Sequence, residues 1–154
     1  MMLKQRTIAK ETALQGKGLH TGHTVNVVFK PAAAHEGIRF VRTDLAGCPV
    51  IKLGEMSAVD GGEGGRYSAL RNKEACIYTV EHLVSALAGF GIDNITVEMD
   101  GDEAPGFDGS AEVGFLHALE EFRILVEIDA APHAPERCGN HADQAGRQRH
   151  HQDL

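Results

Sequence analysis

Hydrophobic and polar positions alternate along much of this chain, which is the pattern of half-buried β-strands. The clearest example is the range 24–30, where Val25, Val27 and Phe29 fall on one side and mostly polar residues on the other. A strand with this pattern buries one face and leaves the other exposed to water. The pattern predicts strands at 7–14, 24–30, 37–43, 50–53, 67–70, 75–78, 92–99 and 124–128, with 67–70 and 75–78 paired as a hairpin.

Two other stretches change to the helical period. After Thr79, apolar side chains recur at intervals of three and four residues, which predicts an amphipathic helix. Thr79 is placed where an N-cap belongs, and Gly89 with Gly91 supplies a stop signal. A second helix is predicted over 111–122, with Ser110 as its cap.

These elements predict an α+β fold. Five to seven of these strands together with the two helices, each with one apolar face, pack most economically as a two-layer sandwich: an antiparallel or mixed β-sheet covered by both helices. We expect one such domain over 1–128 and a disordered, polar, His-rich tail over 129–154. The only large aliphatic residue after position 129 is Leu154, so the tail cannot offset an ordering cost of roughly 1–2 kcal/mol per residue.

Charge and cysteine content narrow the class of protein. Fifteen Lys and Arg residues against 22 Asp and Glu give a net charge of −7, so we expect no nucleic-acid partner. The sequence contains neither an apolar run of membrane-spanning length nor a secretory leader, so we expect no membrane span. Cys48, Cys76 and Cys138 have no CxxC spacing and are typical of reduced thiols, which predicts a cytoplasmic location.

The most informative candidate for chemistry is the pair Glu81–His82 in the first turn of the predicted helix. Neighbouring helical side chains point about 100° apart, so both can border one concavity. An imidazole is a good zinc ligand, and a carboxylate beside it is the usual general base. The alternative is structural: Glu81 complements the helix dipole by about 0.3–1 kcal/mol, and His82 is a surface residue.

Three weaker candidates have structural alternatives as well. His20 and His23 have an H-x-x-H spacing, but the flanking glycines favour a tight turn first. The Asp-Gly-Ser sequence at 108–110 is more typical of a turn with a helix cap than of a catalytic pair. The tail contains histidines that together form a compositional metal-binding tract: His133, His141, His150 and His151.

Four motifs appear in a specific order and spacing. They are Gly16-x-Gly18-Leu19-His20-Thr21-Gly22, Arg42-Thr43-Asp44-Leu45, Thr79-Val80-Glu81-His82-Leu83-x-x-Ala86-Leu87-Ala88-Gly89-x-Gly91-Ile92-Asp93-Asn94 and Glu103-x-Pro105-x-x-Asp108-Gly109-Ser110-Ala111. Together they resemble the N-terminal domain of the UDP-3-O-acyl-N-acetylglucosamine deacetylases, zinc hydrolases of lipid A synthesis in Gram-negative bacteria. The resemblance covers roughly residues 3–128.

This resemblance implies a role for each member of the central pair. His82 corresponds to a zinc ligand, and Glu81 to the general base that takes a proton from the water attacking the acetamide carbonyl. The substrate would be a UDP-sugar lipid precursor, and the cofactor zinc. The family fold is like ribosomal protein S5 domain 2, a sheet with two helices packed on it, which agrees with the two-layer prediction above.

The chain also departs from the family. The family takes its other zinc ligands from a His-x-x-x-Asp motif in a second domain, and no histidine here is followed by Asp four residues later. One ligand alone contributes about 3–4 kcal/mol, which corresponds to near-millimolar affinity. We therefore expect a truncated form that is inactive alone. The alternative is a non-catalytic α+β interaction module, and the face left by the missing domain predicts self-association.

Overall fold

The computed structural model describes residues 3–54, 57–60, 67–107 and 125–130. Within them the chain forms ten strands and one helix, so the α+β prediction is confirmed as a fold dominated by sheet. The predicted helix over 111–122 and the predicted tail after Ala130 lie outside the described residues, whereas Asp129 and Ala130, predicted as the start of that tail, are the last two residues of a strand. The elements follow the order β1 (Leu3–Ile8), β2 (Thr12–Lys17), β3 (Thr24–Pro31), β4 (Ile38–Arg42), β5 (Val50–Lys52), β6 (Ser57–Asp60), β7 (Ser68–Arg71), β8 (Cys76–Tyr78), α1 (Glu81–Gly89), β9 (Ile95–Met99) and β10 (Leu125–Ala130).

The strands form a mixed five-stranded sheet and two smaller sheets. The large sheet has the order β2-β3-β9-β4-β5, in which β9 pairs antiparallel with β3 and parallel with β4. The register places Val27 opposite Met99, and Phe40 opposite Val97. The strands β6, β7 and β8 form an antiparallel meander, and β1 pairs antiparallel with β10.

Most predicted strands are confirmed with bounds shifted by one to three residues, but the prediction of one strand over 7–14 is wrong. This segment belongs to two strands, β1 and β2, which are separated by the exposed residues 9–11. The chain must break there because β1 pairs with β10 whereas β2 pairs with β3. Strand β6 was not predicted at all.

The hydrophobic core lies on the face of the large sheet that carries the alternating apolar residues predicted from the sequence. Alternate residues of β3 and β9 are almost fully buried, and the buried side of α1 packs with them in one apolar cluster. Burial of these side chains is the main force that holds the sheet and the helix together. The most deeply buried members of this cluster include Val27, Phe29, Phe40, Ile51, Ile77, Leu83, Leu87, Ile95, Val97 and Met99.

The predicted N-cap of α1 is wrong by one residue. Val80 occupies the cap position without a side-chain hydrogen bond, and the helix begins at Glu81. The hydroxyl of Thr79 is instead directed at the carboxylate of Glu103, to which it donates a hydrogen bond. The predicted stop is confirmed, since α1 ends at Gly89 and Gly91 has a φ of 64°. Among the described residues, no helix has the length and apolar character needed to cross a membrane.

Candidate functional site

Glu81 and His82 both lie in the first turn of α1 and are half-buried, at the border between core and solvent. The next residue, Leu83, is fully buried, because the helix turns that position toward the sheet. Neither member of the pair is therefore packed into the apolar cluster. Both side chains are placed where a polar group can remain in contact with water.

The carboxylate of Glu81 is held by the neighbouring strand. Its Oε2 accepts a hydrogen bond from the backbone N–H of Ser68 at 3.0 Å, and the carbonyl of Ser68 accepts one from Val80 N–H at 3.3 Å. The start of β7 thus binds the start of α1 through both backbone groups of one residue. A glutamate that only complemented the helix dipole would need no such partner, so this contact favours a positioned carboxylate.

A second carboxylate, Glu103, binds the loop that carries the first motif. We call residues 18–23 the glycine loop; it is closed by hydrogen bonds from Gly18 N–H to His23 O (2.9 Å) and from Gly22 N–H to Gly18 O (3.0 Å). The backbone N–H groups of His20 and Thr21 donate to Oε1 and Oε2 of Glu103, each at 2.8 Å. Glu103 is only 3% exposed, so these bonds are largely shielded from solvent.

The environment of Glu103 favours its charged form. Burial alone would raise the pKa of this carboxyl group, but hydrogen bonds from the Thr21 hydroxyl and the two loop N–H groups outweigh burial. The hydroxyl of Thr79 adds to them at 3.1 Å from Oε1. The net effect lowers the pKa of Glu103, so the site contains a buried carboxylate with several donors.

The first motif needs its glycines for two different reasons. At Gly18 a Cβ atom would lie 2.3 Å from Oε2 of Glu103, so only glycine lets the loop approach the carboxylate this closely. At Gly22 the backbone has a φ of 67°, which glycine adopts without strain. The Glu103 and Gly18 motifs, separated by more than 80 residues in sequence, therefore meet at one contact.

Thr79 has a strained backbone at the entrance to α1. It is β-branched, 1% exposed and has a φ of 58°, a conformation that costs of order 1–3 kcal/mol. Both backbone groups of the preceding residue are fixed by the segment that carries Glu103: Tyr78 N–H donates to Asp102 O at 2.7 Å, and Ala104 N–H donates to Tyr78 O at 3.0 Å. Strain of this kind persists only where the surroundings fix the backbone, and it is typical of functional sites.

An aromatic row connects the glycine loop to the Glu81 end of the helix. The ring of His20 lies 5.3 Å from that of Tyr67, and Tyr67 makes an edge contact with Tyr78 at 5.6 Å. Tyr67 directly precedes Ser68, the residue that binds Glu81. His20 is thereby linked to the site through Tyr67, a contact that the H-x-x-H spacing did not predict.

A polar cleft of about 300 Å³ adjoins the other side of the glycine loop. Its lining includes His23 as well as Arg42 and Asp44 of the second motif, but neither Glu81 nor His82. The two histidines of the H-x-x-H spacing thus have different surroundings, one against an aromatic ring and one in this cleft. The remaining lining residues are Thr21, Thr24, Val25, Asp100, Gly101, Asp102 and Glu103.

The described residues do not by themselves form a zinc site. A catalytic zinc needs three protein ligands, and the part of the chain that the structure describes contains no group of three or more His, Cys, Asp or Glu side chains able to hold a metal ion. His82 would contribute one ligand. The candidates at 108–110 and the histidines of the tail lie outside the described residues.

Sequence reasoning missed two contributors to this arrangement. Ser68 binds Glu81 through its backbone N–H, and a backbone contact cannot be recognised from the type of side chain. The sequence marks Glu103 only as part of a motif, because its acidic neighbours Asp100 and Asp102 are typical of an exposed loop and give no sign of its burial.

Comparison with known proteins gives a consistent result. A family model described as LpxC: UDP-3-O-acyl N-acetylglycosamine deacetylase matches residues 5–134. The chain is 42% identical over 126 residues to the UDP-3-O-acyl-N-acetylglucosamine deacetylase of Bdellovibrio bacteriovorus, covering 82% of this chain and 40% of that relative. It is 47% identical over 107 residues to the protein of the same name in Myxococcus xanthus, covering 70% and 33%. It is 40% identical over 119 residues to the bifunctional enzyme LpxC/FabZ of Chlorobaculum tepidum, covering 77% and 25%. The chain thus spans 25% to 40% of the length of these relatives.

Proposed function

Because the chain belongs to the UDP-3-O-acyl N-acetylglycosamine deacetylase family, we propose that it contributes to removing the N-acetyl group of UDP-3-O-acyl-N-acetylglucosamine. The reaction is the hydrolysis of an amide, and it belongs to lipid A biosynthesis. We place it in the cytoplasm of a Gram-negative bacterium, in keeping with the cysteine content and the family. The substrate is a UDP-sugar lipid precursor.

The observation that carries this proposal is the position of Glu81. Its carboxylate is half-buried and oriented by the Ser68 N–H, which binds Oε2. A carboxylate has about four lone-pair sites, so one hydrogen bond leaves capacity to accept a proton. We assign Glu81 as the general base that takes a proton from the water attacking the amide carbonyl.

We assign His82 as a zinc ligand. Zinc, when bound, acts as a Lewis acid that polarises the amide carbonyl. His82 supports this role because its imidazole lies in the same helical turn as Glu81 and is half-buried rather than packed in the core. With His82 assigned as one ligand and no group of three candidate ligands among the described residues, we propose that the chain alone binds zinc weakly and does not turn over.

A chimera tests the roles of the two residues. Residues 5–128 of this chain replace the matched segment of the Bdellovibrio bacteriovorus relative, and deacetylation of the UDP-sugar is measured. We expect an active chimera that loses roughly 10²–10⁴-fold in kcat on Glu81→Gln, because a positioned general base contributes a factor of this size. A folded, zinc-loaded chimera that keeps its activity after Glu81→Gln contradicts the proposal.

The chain by itself provides the second measurement. Incubated with one equivalent of zinc and the same substrate, it should release no acetate above the uncatalysed rate. Turnover at rates typical of enzymes would show that the chain supplies a complete set of ligands, and the proposed incompleteness would then be wrong.

A further inference from the structure

We propose that Glu103 is a positioning residue for the deacetylase site, one that holds the glycine loop and the start of α1 in a single fixed arrangement. This inference rests on the proposed function, because it assumes that Glu81 and His82 carry the chemistry. Glu103 itself belongs to neither element. It lies on the segment 102–106, which runs between the two.

The first arm of this arrangement reaches the glycine loop. Each carboxylate oxygen of Glu103 accepts one backbone N–H of the loop, from His20 on Oε1 and from Thr21 on Oε2. Hydrogen bonds to a charged, buried acceptor are the strong ones in proteins. The backbone supports the same contact, since Gly106 N–H donates to Lys17 O at 2.8 Å.

The second arm reaches the helix start. The Thr79 hydroxyl donates to Oε1 at 3.1 Å, the same oxygen that binds His20. Thr79 has the strained φ of 58° and lies two residues before Glu81, so its conformation sets where the helix begins. One oxygen atom therefore joins the loop to the strained residue Thr79 at the Glu81 junction.

The glycine loop and the start of α1 are also connected by a second route, which does not pass through Glu103. The His20 ring packs on Tyr67, whose neighbour Ser68 donates its N–H to Glu81. Two sets of contacts therefore connect Glu103 to the start of α1. One runs through His20, Tyr67 and Ser68 to Glu81, and the other runs directly through Thr79. A change at Thr79 should therefore alter the packing of the His20 ring, through Glu103 and through Tyr78, which precedes Thr79 and contacts Tyr67.

The chemistry of the acceptor makes this inference specific. The groups that bind the two oxygens are donors, namely two backbone N–H groups and the hydroxyls of Thr21 and Thr79, so a carboxylate satisfies all of them. In Glu103→Gln one oxygen becomes an NH₂ donor that faces another donor, and at least one hydrogen bond is lost. Thr79→Val removes only the hydroxyl at nearly constant volume, whereas Thr79→Ser keeps it.

The test is NMR of the full chain without zinc or substrate. It follows amide hydrogen exchange at His20, Thr21 and Ser68, and the cross-peak between the His20 and Tyr67 rings. The amide of Val97 in β9 serves as the monitor of global opening. For Glu103→Gln we expect roughly tenfold or faster exchange at the three site amides relative to Val97, with a weakened ring cross-peak.

Thr79→Val keeps the inference falsifiable if Glu103→Gln does not fold. We expect it to weaken the His20–Tyr67 cross-peak and speed exchange at Ser68, and Thr79→Ser to restore the wild-type spectrum. A purely local role for Glu103 predicts changes only at residues 79 and 103. If Thr79→Val leaves both the ring cross-peak and the Ser68 exchange as in wild type, the inference is overturned.

These measurements separate this inference from the proposed function. If the coupling is present but the chimera does not hydrolyse its substrate, the proposed function fails and the positioning contact stands. If the chimera is active but the coupling is absent, the assignment of Glu103 fails and the deacetylase assignment stands.

Discussion

Arg42 holds Asp44 through two parallel hydrogen bonds, from Nε to Oδ1 at 2.8 Å and from Nη2 to Oδ2 at 2.6 Å. The third branch of the guanidinium, Nη1, donates to the carbonyl of Cys76 at 2.6 Å. Arg42 is only 6% exposed although it is charged. The pair thus connects the end of β4 to β8 while it lines the polar cleft.

The geometry of this pair predicts that Arg42→Lys is not a conservative substitution. An ammonium group cannot form the two-pronged contact and reach the Cys76 carbonyl at the same time. We expect the free energy of unfolding to fall by about 1–3 kcal/mol, measured by urea denaturation. Asp129→Asn is the control: it breaks the exposed Lys4–Asp129 pair and should change stability by less than about 1 kcal/mol. Equal effects of the two substitutions would contradict the assignment.

Two carboxylates predict a loss of stability in acid. Hydrogen bonding to Arg42 lowers the pKa of Asp44, whose ordinary value is 3.8, and the donors around Glu103 lower its pKa from an ordinary 4.5 despite its burial. A folded-state pKa below the unfolded value gives stability that is present above the unfolded pKa and is lost as the pH falls through the folded pKa. We therefore expect the free energy of unfolding to decline progressively below about pH 4.5.

Substitution of each carboxylate shows how much it contributes to this loss of stability in acid. Urea denaturation between pH 6 and pH 3 should give a shallower curve for Glu103→Gln and for Asp44→Asn than for the wild type, because each variant lacks one titrating group. The flattening for Glu103→Gln should begin below about pH 4.5 and that for Asp44→Asn below about pH 3.8, because hydrogen bonds lower both folded pKa values from these ordinary ones. Curves parallel to the wild type would contradict both assignments.

We expect substitutions of two glycines of the first motif to reduce stability by different amounts. Gly18→Ala places a Cβ 2.3 Å from Glu103 Oε2, a clash that also displaces a buried charge, so we expect a loss of at least about 2 kcal/mol. Gly22→Ala meets no atom within 4 Å but needs a φ of 67°, so a loss of about 1 kcal/mol is expected. Gly54→Ala, which meets neither condition, is the control and should be close to neutral. Thermal melts of the three variants check the order, and a Gly18→Ala melt as high as that of Gly54→Ala contradicts the close approach.

The sequence predicted the large sheet well and its edges poorly. The alternation of apolar and polar residues that identifies β3 and β4 involves neighbouring positions only, so a single sequence reveals it. The break between β1 and β2 is different, because it is caused by a change of partner from β10 to β3. A pairing partner more than 100 residues away leaves no local pattern.

The prediction of Thr79 as an N-cap failed for a similar reason. Threonine is a preferred cap by residue type, but here its backbone has a φ of 58° and its hydroxyl is directed at a carboxylate 24 residues further along the chain. The pair Glu81–His82 could be chosen from sequence because its motif is contiguous. The Ser68 N–H that orients Glu81 could not, since every residue except proline has the same backbone donor.

Zinc affinity provides the last prediction. Titration calorimetry of the wild-type chain should detect His82 only as a near-millimolar site, because one imidazole supplies about a quarter of the binding free energy of a four-ligand site. His82→Ala should therefore leave micromolar zinc retention unchanged. Any retention at that level should instead fall when the histidines of the tail are replaced by Asn, which leaves the described domain untouched. If micromolar binding were lost on His82→Ala and kept in the tail variant, the chain would contain a complete site around α1, and the proposal that it is catalytically incomplete would have to be abandoned.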